Sequence, residues 1–194
     1  MVGIARFRDF VIALTRMAEE DVPEARWLGE GKALLAELIR RDDWLPESCA
    51  AAGPTYRQYL LHCDPLERFS VVSFVWGPGQ RTPVHNHTVW GLVGMLRGEE
   101  ISTEILPGAP MRRGRVDHLR PGEVVAVSPN LSDIHVVENA LPDRSSVSIH
   151  VYGANIGAVS RSVFDPETGV ERRFVSGYSN PALPNLWDRS AEAR

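Results

Sequence analysis

The run Gly79-Gln80-Arg81-Thr82-Pro83-Val84-His85-Asn86-His87 sets two imidazoles two residues apart, and His135 follows far downstream with Asn139 four residues behind it. On an extended segment, side chains at i and i+2 share a face, so His85 and His87 point the same way. A third imidazole from a distant strand completes a facial set of three. Neutral imidazole suits iron, zinc, copper and nickel, and three ligands on one face leave coordination positions open. A second pattern lies in Val147-Ser148-Ile149-His150-Val151-Tyr152. Val147, Ile149 and Val151 take one face of a strand, and Ser148, His150 and Tyr152 take the other. A polar row turned into a barrel is costly unless its groups bond to one another or to a ligand. His62 and His118 have no motif around them and are expected in ordinary polar roles. Trp90 is open to two readings, as a wall of the pocket or as core packing.

These residues need strands to carry them. From Tyr56 onward, short β-rich runs alternate with Gly and Pro turns: Phe69 to Trp76, Val89 to Leu96, Ile101 to Leu106, Val116 to Leu119, Val124 to Val127, Ile134 to Val137, Val147 to Tyr152 and Val159 to Phe164. Many short strands at this spacing predict a sandwich or barrel. Two amphipathic helices precede them. Phe7, Phe10, Val11, Leu14, Met17 and Ala18 make one apolar stripe. Trp27, Leu28, Leu34, Leu35, Leu38 and Ile39 make the second, after the cap-like Asp21-Val22-Pro23-Glu24. Both stripes read as faces packed on a sheet. A short helix is expected after Pro46, ending near Gly53. The expected organisation is a single domain, helical over 1–55, a β-barrel over 56–175, and an irregular tail over 176–194 lying on the barrel.

Composition narrows the class. Lys and Arg total 21 and Asp and Glu 25, giving a net charge of −4, and 43% of the 194 residues are hydrophobic. That is a globular chain with no basic footprint, so neither nucleic acid nor an anionic membrane is expected as a partner. No apolar run approaches the ~18 residues of a membrane span. The first residues interleave charge with apolar side chains and do not read as an export signal. Cys49 and Cys63 form neither a CxxC pair nor a disulfide framework, so both are expected as reduced thiols in the cytoplasm. No residue pattern specifies an oligomeric state.

The two histidine segments resemble the cupin motifs. Gly79, His85, His87 and Gly98 match the first, and Gly122, Pro129, His135 and Asn139 match the second. The second motif has one extra residue between Gly and Pro, and Leu131 stands where a glycine is usual. The resemblance implies a mainly β, cupin-type barrel (a double-stranded β-helix or jelly roll) with the N-terminal helices packed on it. Many cupins carry a metal-binding glutamate near the place of Gly91, and this chain has none. Three neutral ligands without a carboxylate resemble the thiol dioxygenases of the cysteine dioxygenase type, which also carry a Ser-His-Tyr relay at the place of Ser148, His150 and Tyr152.

Within that group the chain is similar to the bacterial 3-mercaptopropionate branch. Gln58 stands where cysteine-specific enzymes carry a carboxylate-binding arginine, and Gly91 lies near the place of their crosslinking cysteine. Arg161, downstream of the relay tyrosine, matches the arginine that faces the substrate carboxylate in that branch. Arg57 lies one residue from the older arginine place, but alternation turns it to the other face. The resemblance therefore implies one Fe(II) per chain on His85, His87 and His135, with a small thiol and O2 as partners. Zinc, which has no redox chemistry, does not suit that reaction. Tyr152 is expected to hydrogen-bond at the iron site, oriented by His150 and Ser148. Arg161 is expected to hold a carboxylate, with Gln58 assisting as a neutral donor. The expected activity is oxidation of the sulfur of a small mercapto-carboxylic acid, 3-mercaptopropionate first, to a sulfinate. Cysteine or mercaptosuccinate oxidation, a cupin isomerase and a non-catalytic ligand-binding cupin are the alternatives.

Overall fold

A computed structural model describes residues 3–131 and 133–187. Two antiparallel sheets face each other around an interior cavity. The first holds five strands in the order β1 (Arg57–Cys63), β2 (Ser70–Trp76), β9 (Ser146–Tyr152), β4 (Gly91–Arg97) and β7 (Val124–Val127). The second holds six, in the order β11 (Glu171–Phe174), β10 (Arg161–Phe164), β3 (Val84–His85), β8 (His135–Asn139), β5 (Glu100–Leu106) and β6 (Arg112–Leu119). The fold is the expected mainly β, cupin-type barrel with N-terminal helices outside it.

Those helices cover the outer face of the five-stranded sheet. Helix α1 (Ile4–Glu19) buries Phe7, Phe10, Val11, Leu14, Met17 and Ala18, the stripe that its periodicity predicts. The second stripe is less regular than expected. It opens as a single turn, α2 (Glu24–Arg26), widens to a π-turn at Trp27–Gly31, and resumes as α3 (Lys32–Ile39). A π-turn inserts a residue into the helical repeat. Trp27, Leu35, Leu38 and Ile39 are buried as a result, while Leu28 and Leu34 are only partly covered. The helix expected after Pro46 is a 3₁₀ turn, Glu47–Cys49, and stops short of Gly53.

The five-stranded sheet is buried on both faces. Leu92, Leu96, Val147, Ile149 and Val151 pack outward with the helices in one core. Val72, Phe74, Trp76 and Tyr152 pack inward with Val137 and Ile156. Helix α3 reaches β4 closely because position 94 is glycine. A Cβ there would lie 3.0 Å from Ile39 Cδ1 and from Leu35 Cγ.

Three strands escape sequence reading, among them the two-residue β3, which is too short to carry a periodic signal. β1 has an irregular burial pattern with a bulge between Leu60 and His62, which breaks the period-two signal. β11, Glu-Arg-Arg-Phe, is a charged, exposed edge strand, a composition that blunts edge-to-edge pairing. β6 begins four residues before the expected Val116, because Arg112-Arg113-Gly114-Arg115 carries no apolar signal. Between 175 and 187 the tail forms neither helix nor strand, and Ser176, Gly177, Ser179 and Asn180 bond to β1 and the barrel. The remainder of the expected tail, 188–194, lies outside the described residues. No helix among the described residues is long and apolar enough to cross a membrane.

Replacing Gly94 with valine tests the seating of α3. Overpacking of this kind costs about 1–3 kcal/mol, which for a domain of this size lowers Tm by roughly 2–12 °C. Metal content should not change, because position 94 faces away from the cavity. An unchanged Tm would show that α3 does not rest on β4.

Candidate metal centre

His85 ends the two-residue strand β3 and pairs with His135, the first residue of β8. His87 follows just beyond β3. All three imidazoles are buried, and one ring nitrogen from each lies within 4.8 Å of the others. The ring centroids are 5.0, 4.8 and 4.8 Å apart.

Each ring is held through its other nitrogen. His85 Nδ1–H donates to the carbonyl of Pro83 at 3.1 Å. A carbonyl can only accept, so this contact places the proton on Nδ1 and leaves the Nε2 lone pair free. His87 Nδ1 lies 2.9 Å from Asp133 Oδ1, and His135 Nδ1 lies 3.0 Å from the Ser102 hydroxyl. Asp133 does more than hold one ring. Its Oδ1 accepts from the His87 backbone N–H at 3.0 Å, and its Oδ2 accepts from the Thr88 N–H at 2.9 Å. Thr88 has φ 61°, a costly left-handed conformation for a β-branched residue, and the carboxylate clamps it there. Burial pushes the Asp133 carboxyl up, but the His87 and backbone contacts outweigh it and hold it below the ordinary range.

The electrostatics favour the neutral forms of His85 and His135. Burial, reinforced by the neighbouring histidine, pushes His85 down from 6.5 to about 3. Burial likewise pushes His135 well below its ordinary value. His135 Nε2 is buried with no hydrogen-bond partner. An orphaned basic nitrogen facing two other imidazoles is the pattern that a bound cation would satisfy. The three histidines therefore form a site that can hold a metal ion, with no carboxylate in the set.

The polar row of β9 ends at the same cavity. Ser148 Oγ lies 2.8 Å from His150 Nε2, and His150 Nδ1 lies 2.8 Å from the Tyr152 hydroxyl. The Tyr152 ring stacks on His87, with centroids 5.5 Å apart. Burial pushes the Tyr152 hydroxyl well above its ordinary value, so it remains a proton donor. Gly91 lies opposite Tyr152 in the β4–β9 register, and a Cβ there would come within 2.9 Å of the tyrosine ring. Position 91, noted in the sequence as lacking a ligand and a cysteine, is where the tyrosine ring rests against the neighbouring strand.

The cavity has a volume of about 220 Å³ and is lined by the three histidines, His150, Tyr152, Gln58 and Arg161, with Tyr56, Phe74, Trp76 and Phe174 among its apolar walls. Arg161 is 3% exposed and, among the described residues, has no acidic partner within the distances of an ion pair. Its Nη2 donates to Ser176 at 2.6 Å, its guanidinium sits 4.8 Å from the Phe174 centroid, and its Nε is buried without a partner. Burial lowers its pKa. Gln58 also lines the cavity, but its amide nitrogen already donates to Ser176 at 3.3 Å and to the Gly177 carbonyl at 3.0 Å. The donor capacity expected of it is spent on the tail. Arg57 is not in the cavity and packs against Gly53. Trp90 is not there either and stacks on Trp27 at 4.7 Å. His62 lies against Phe69, and His118 pairs with Glu99 at 2.7 Å.

Sequence reading missed Asp133 and Ser102. Asp133 stands two residues before His135, and Ser102 stands on β5 in an ordinary alternation, so neither carries a distinguishing pattern. Asn139 has a structural place: its amide donates to the carbonyls of Trp76 and Arg144 at 3.0 and 2.9 Å, tying off the end of β8.

The chain matches no protein-family model. Its structure is similar to a cupin superfamily protein from Desulfitobacterium hafniense, at 16% identity over 62% of this chain and 88% of that one, with a TM-score of 0.42. It is also similar to a protein with a double-stranded β-helix domain from Klebsiella pneumoniae, at 17% identity over 60% and 88%, TM-score 0.46. A cupin-like protein from Thermotoga maritima is 22% identical over 70% and 90%, TM-score 0.44.

Two outcomes test this centre. His135→Ala should abolish stoichiometric metal, measured by elemental analysis, and Asp133→Ala should weaken metal binding by about 10–100-fold through loss of the His87 support. Full metal retention in both would remove the assignment. Acid stability provides the second test. His85, His135 and His150 are all depressed by burial, so below pH 6.5 the unfolded chain binds protons that the folded chain refuses. The metal-free protein should lose up to about 1.4 kcal/mol of stability per pH unit for each such histidine as pH falls. Denaturant melts that do not shift with acidification would show that these rings are not held neutral.

Proposed function

We propose that the protein is an iron-dependent thiol dioxygenase that converts a small mercapto-carboxylate, 3-mercaptopropionate first, to its sulfinate. Both atoms of O2 add to sulfur, so R–S⁻ and O2 give R–SO2⁻ with no other reductant. The observation that carries the proposal is the convergence, in one cavity, of three buried imidazoles, a bonded Ser148-His150-Tyr152 row and a buried guanidinium with no acidic partner among the described residues.

His85, His87 and His135 would hold iron(II), which with three neutral ligands keeps its dipositive charge and supplies thiolate binding and oxygen activation. The remaining roles belong to the chain itself. Arg161 pairs with the substrate carboxylate, since its orphaned Nε and buried charge are stabilised by an anion. Tyr152 donates its hydroxyl proton toward the reacting sulfur and oxygen atoms. His150, fixed between Ser148 and Tyr152, orients that hydroxyl. Phe74, Trp76 and Tyr56 exclude water, which strengthens each of these contacts. Cys49 and Cys63 are free thiols outside the cavity lining, which fits a tyrosine without a thioether crosslink.

Oxygen uptake by the iron-loaded protein tests the proposal directly. 3-Mercaptopropionate should be preferred to cysteine in kcat/KM. Tyr152→Phe should keep iron and lose about 10²-fold in turnover, an ordinary loss for a transition-state donor. Arg161→Ala should weaken 3-mercaptopropionate by roughly 30-fold or more while sparing cysteamine, which has no carboxylate. No oxygen uptake with any thiol would overturn the reading, and equal losses for the two thiols would remove Arg161 from it.

A further inference from the structure

Between residues 175 and 180 the chain crosses from the edge of one sheet to the edge of the other. β11 is the last strand of the six-stranded sheet, and β1 is the last of the five-stranded sheet. Phe174 closes β11 in register with Arg161. Beyond it, the Ser179 N–H donates to the Gln58 carbonyl at 2.7 Å, and the Gln58 N–H donates to the Ser179 hydroxyl at 3.0 Å. Asn180 clasps the backbone of Leu60, accepting from its N–H at 2.8 Å and donating to its carbonyl at 3.0 Å. Ser176 lies between these anchors, open to solvent and lining the cavity.

The Ser176 hydroxyl meets two side chains, and neither can accept a hydrogen bond from it. Arg161 Nη2 lies 2.6 Å away, and a guanidinium has only donors. Gln58 Nε2 lies 3.3 Å away. That end of the amide is the nitrogen, because it also faces the Gly177 carbonyl at 3.0 Å, which can only accept. The two contacts therefore use both lone pairs of the hydroxyl. Its O–H remains, and it meets no acceptor among the described residues. Donors on both lone pairs polarise the hydroxyl and strengthen it as a donor. On the neighbouring guanidinium, Nε is buried with no partner. Two donors, one of them charged, are thus left over in a cavity whose described lining holds no aspartate or glutamate.

We propose that Ser176 is a specificity-determining residue whose hydroxyl donates to the substrate carboxylate held by Arg161, so that the anion subsite is built from β10 and the crossing segment together. Arg161 supplies the charge, and Ser176 supplies a neutral donor. Gln58 does not touch the carboxylate. Its part is to occupy a lone pair of Ser176, so that only the proton is offered. A hydroxyl locked as a donor recognises acceptors alone. A carboxylate satisfies it, whereas an ammonium placed there would face donors only. Carboxylate binding at this subsite stands on the chain alone, and its use in catalysis rests on the dioxygenase reading.

Propionate, which has the carboxylate but no thiol, tests the subsite in the full chain without added metal. In ¹H–¹⁵N spectra the Arg161 Nε–H resonance should shift saturably as propionate is added, and stay in place with cysteamine. Ser176→Ala should weaken the propionate Kd by about tenfold or more, the scale of one hydrogen bond to a charged group, and Ser176→Thr should restore it. A structure with propionate bound should show a carboxylate oxygen at about 2.5–2.7 Å from Ser176 Oγ, with Arg161 Nη2 and Gln58 Nε2 still on the same hydroxyl. In the iron-loaded enzyme, Ser176→Ala should lose about tenfold more in kcat/KM with 3-mercaptopropionate than with cysteamine. A carboxylate that binds Arg161 and leaves Ser176 out of reach would make the serine a mere prop and overturn the proposal. Equal propionate affinity in wild type and Ser176→Ala, or an Arg161 Nε–H that ignores propionate, overturns it as well. Should Ser176→Ala not fold, the propionate-bound structure of the wild type decides. Absence of oxygen uptake with every thiol would sink the dioxygenase reading and leave the propionate result standing.

Discussion

The contact between β3 and β8 is a single register pair, His85 opposite His135, and the candidate metal centre stands on it. A slip of one residue in either strand would turn an imidazole to the outer face of the sheet. A two-residue strand cannot hold its register by its own ladder, so side chains do it. The Thr82 backbone N–H donates to the Val137 carbonyl at 2.9 Å, and the Val137 N–H donates to the Thr82 hydroxyl at 3.0 Å. On the other side, Asn86 mimics a strand residue. Its N–H donates to the Ser162 carbonyl at 3.1 Å, and its side-chain oxygen accepts from the Ser162 N–H at 2.8 Å. The residue between the two histidines is thus a clasp rather than a spacer. Asp133 then fixes the turn that follows, so that His87 meets the other two rings.

Strand β9 couples this centre to the rest of the molecule. Its odd-numbered residues are pinned beneath the helices, and its even-numbered residues carry the polar row into the barrel. Burial on both faces leaves the strand little freedom to rotate or slide. That rigidity is what a hydrogen-bonded row needs, because both links within it are 2.8 Å and a small displacement would break either. The helices, with no residue in the cavity lining, contribute to the site by clamping its strand.

What could be read from the sequence follows the same division. The histidine pair, the third histidine and the alternating Ser-His-Tyr row are strong local patterns, and the structure brings each set together. Arg161 was located by resemblance, and its burial in the cavity explains why spacing alone could not have found it: a lone arginine on a short strand looks like any solvated one. Ser102 and Asp133 act through partners distant in sequence, so no local pattern marks them. Strand β1 was hidden by its bulge and β11 by its charges. The regularity of the second helix was overestimated, because an apolar stripe records which residues are buried and not the π-turn that brings them there.

The charge balance of the cavity limits what it can accept. Among the described residues, no aspartate or glutamate lines it. Asp133 is committed to His87 and the adjacent backbone, and Glu100 is buried outside the cavity lining with its carboxyl on Ser146. Neutral imidazoles leave a bound cation's charge undiminished, and Arg161 adds a second positive centre within the same walls. Apolar surroundings magnify both fields. On the proposed reading, a ligand that relieves them would carry two anionic ends, one for the orphaned Arg161 Nε and one for a metal held at the orphaned His135 Nε2. A substrate ammonium would meet two cations and no ionised acid, and leaving such a group buried and unpaired is costly. If the proposed function holds, the carboxylates the site lacks matter as much as the arginine it holds, and a mercapto-acid without an amine is the ligand that this balance would favour.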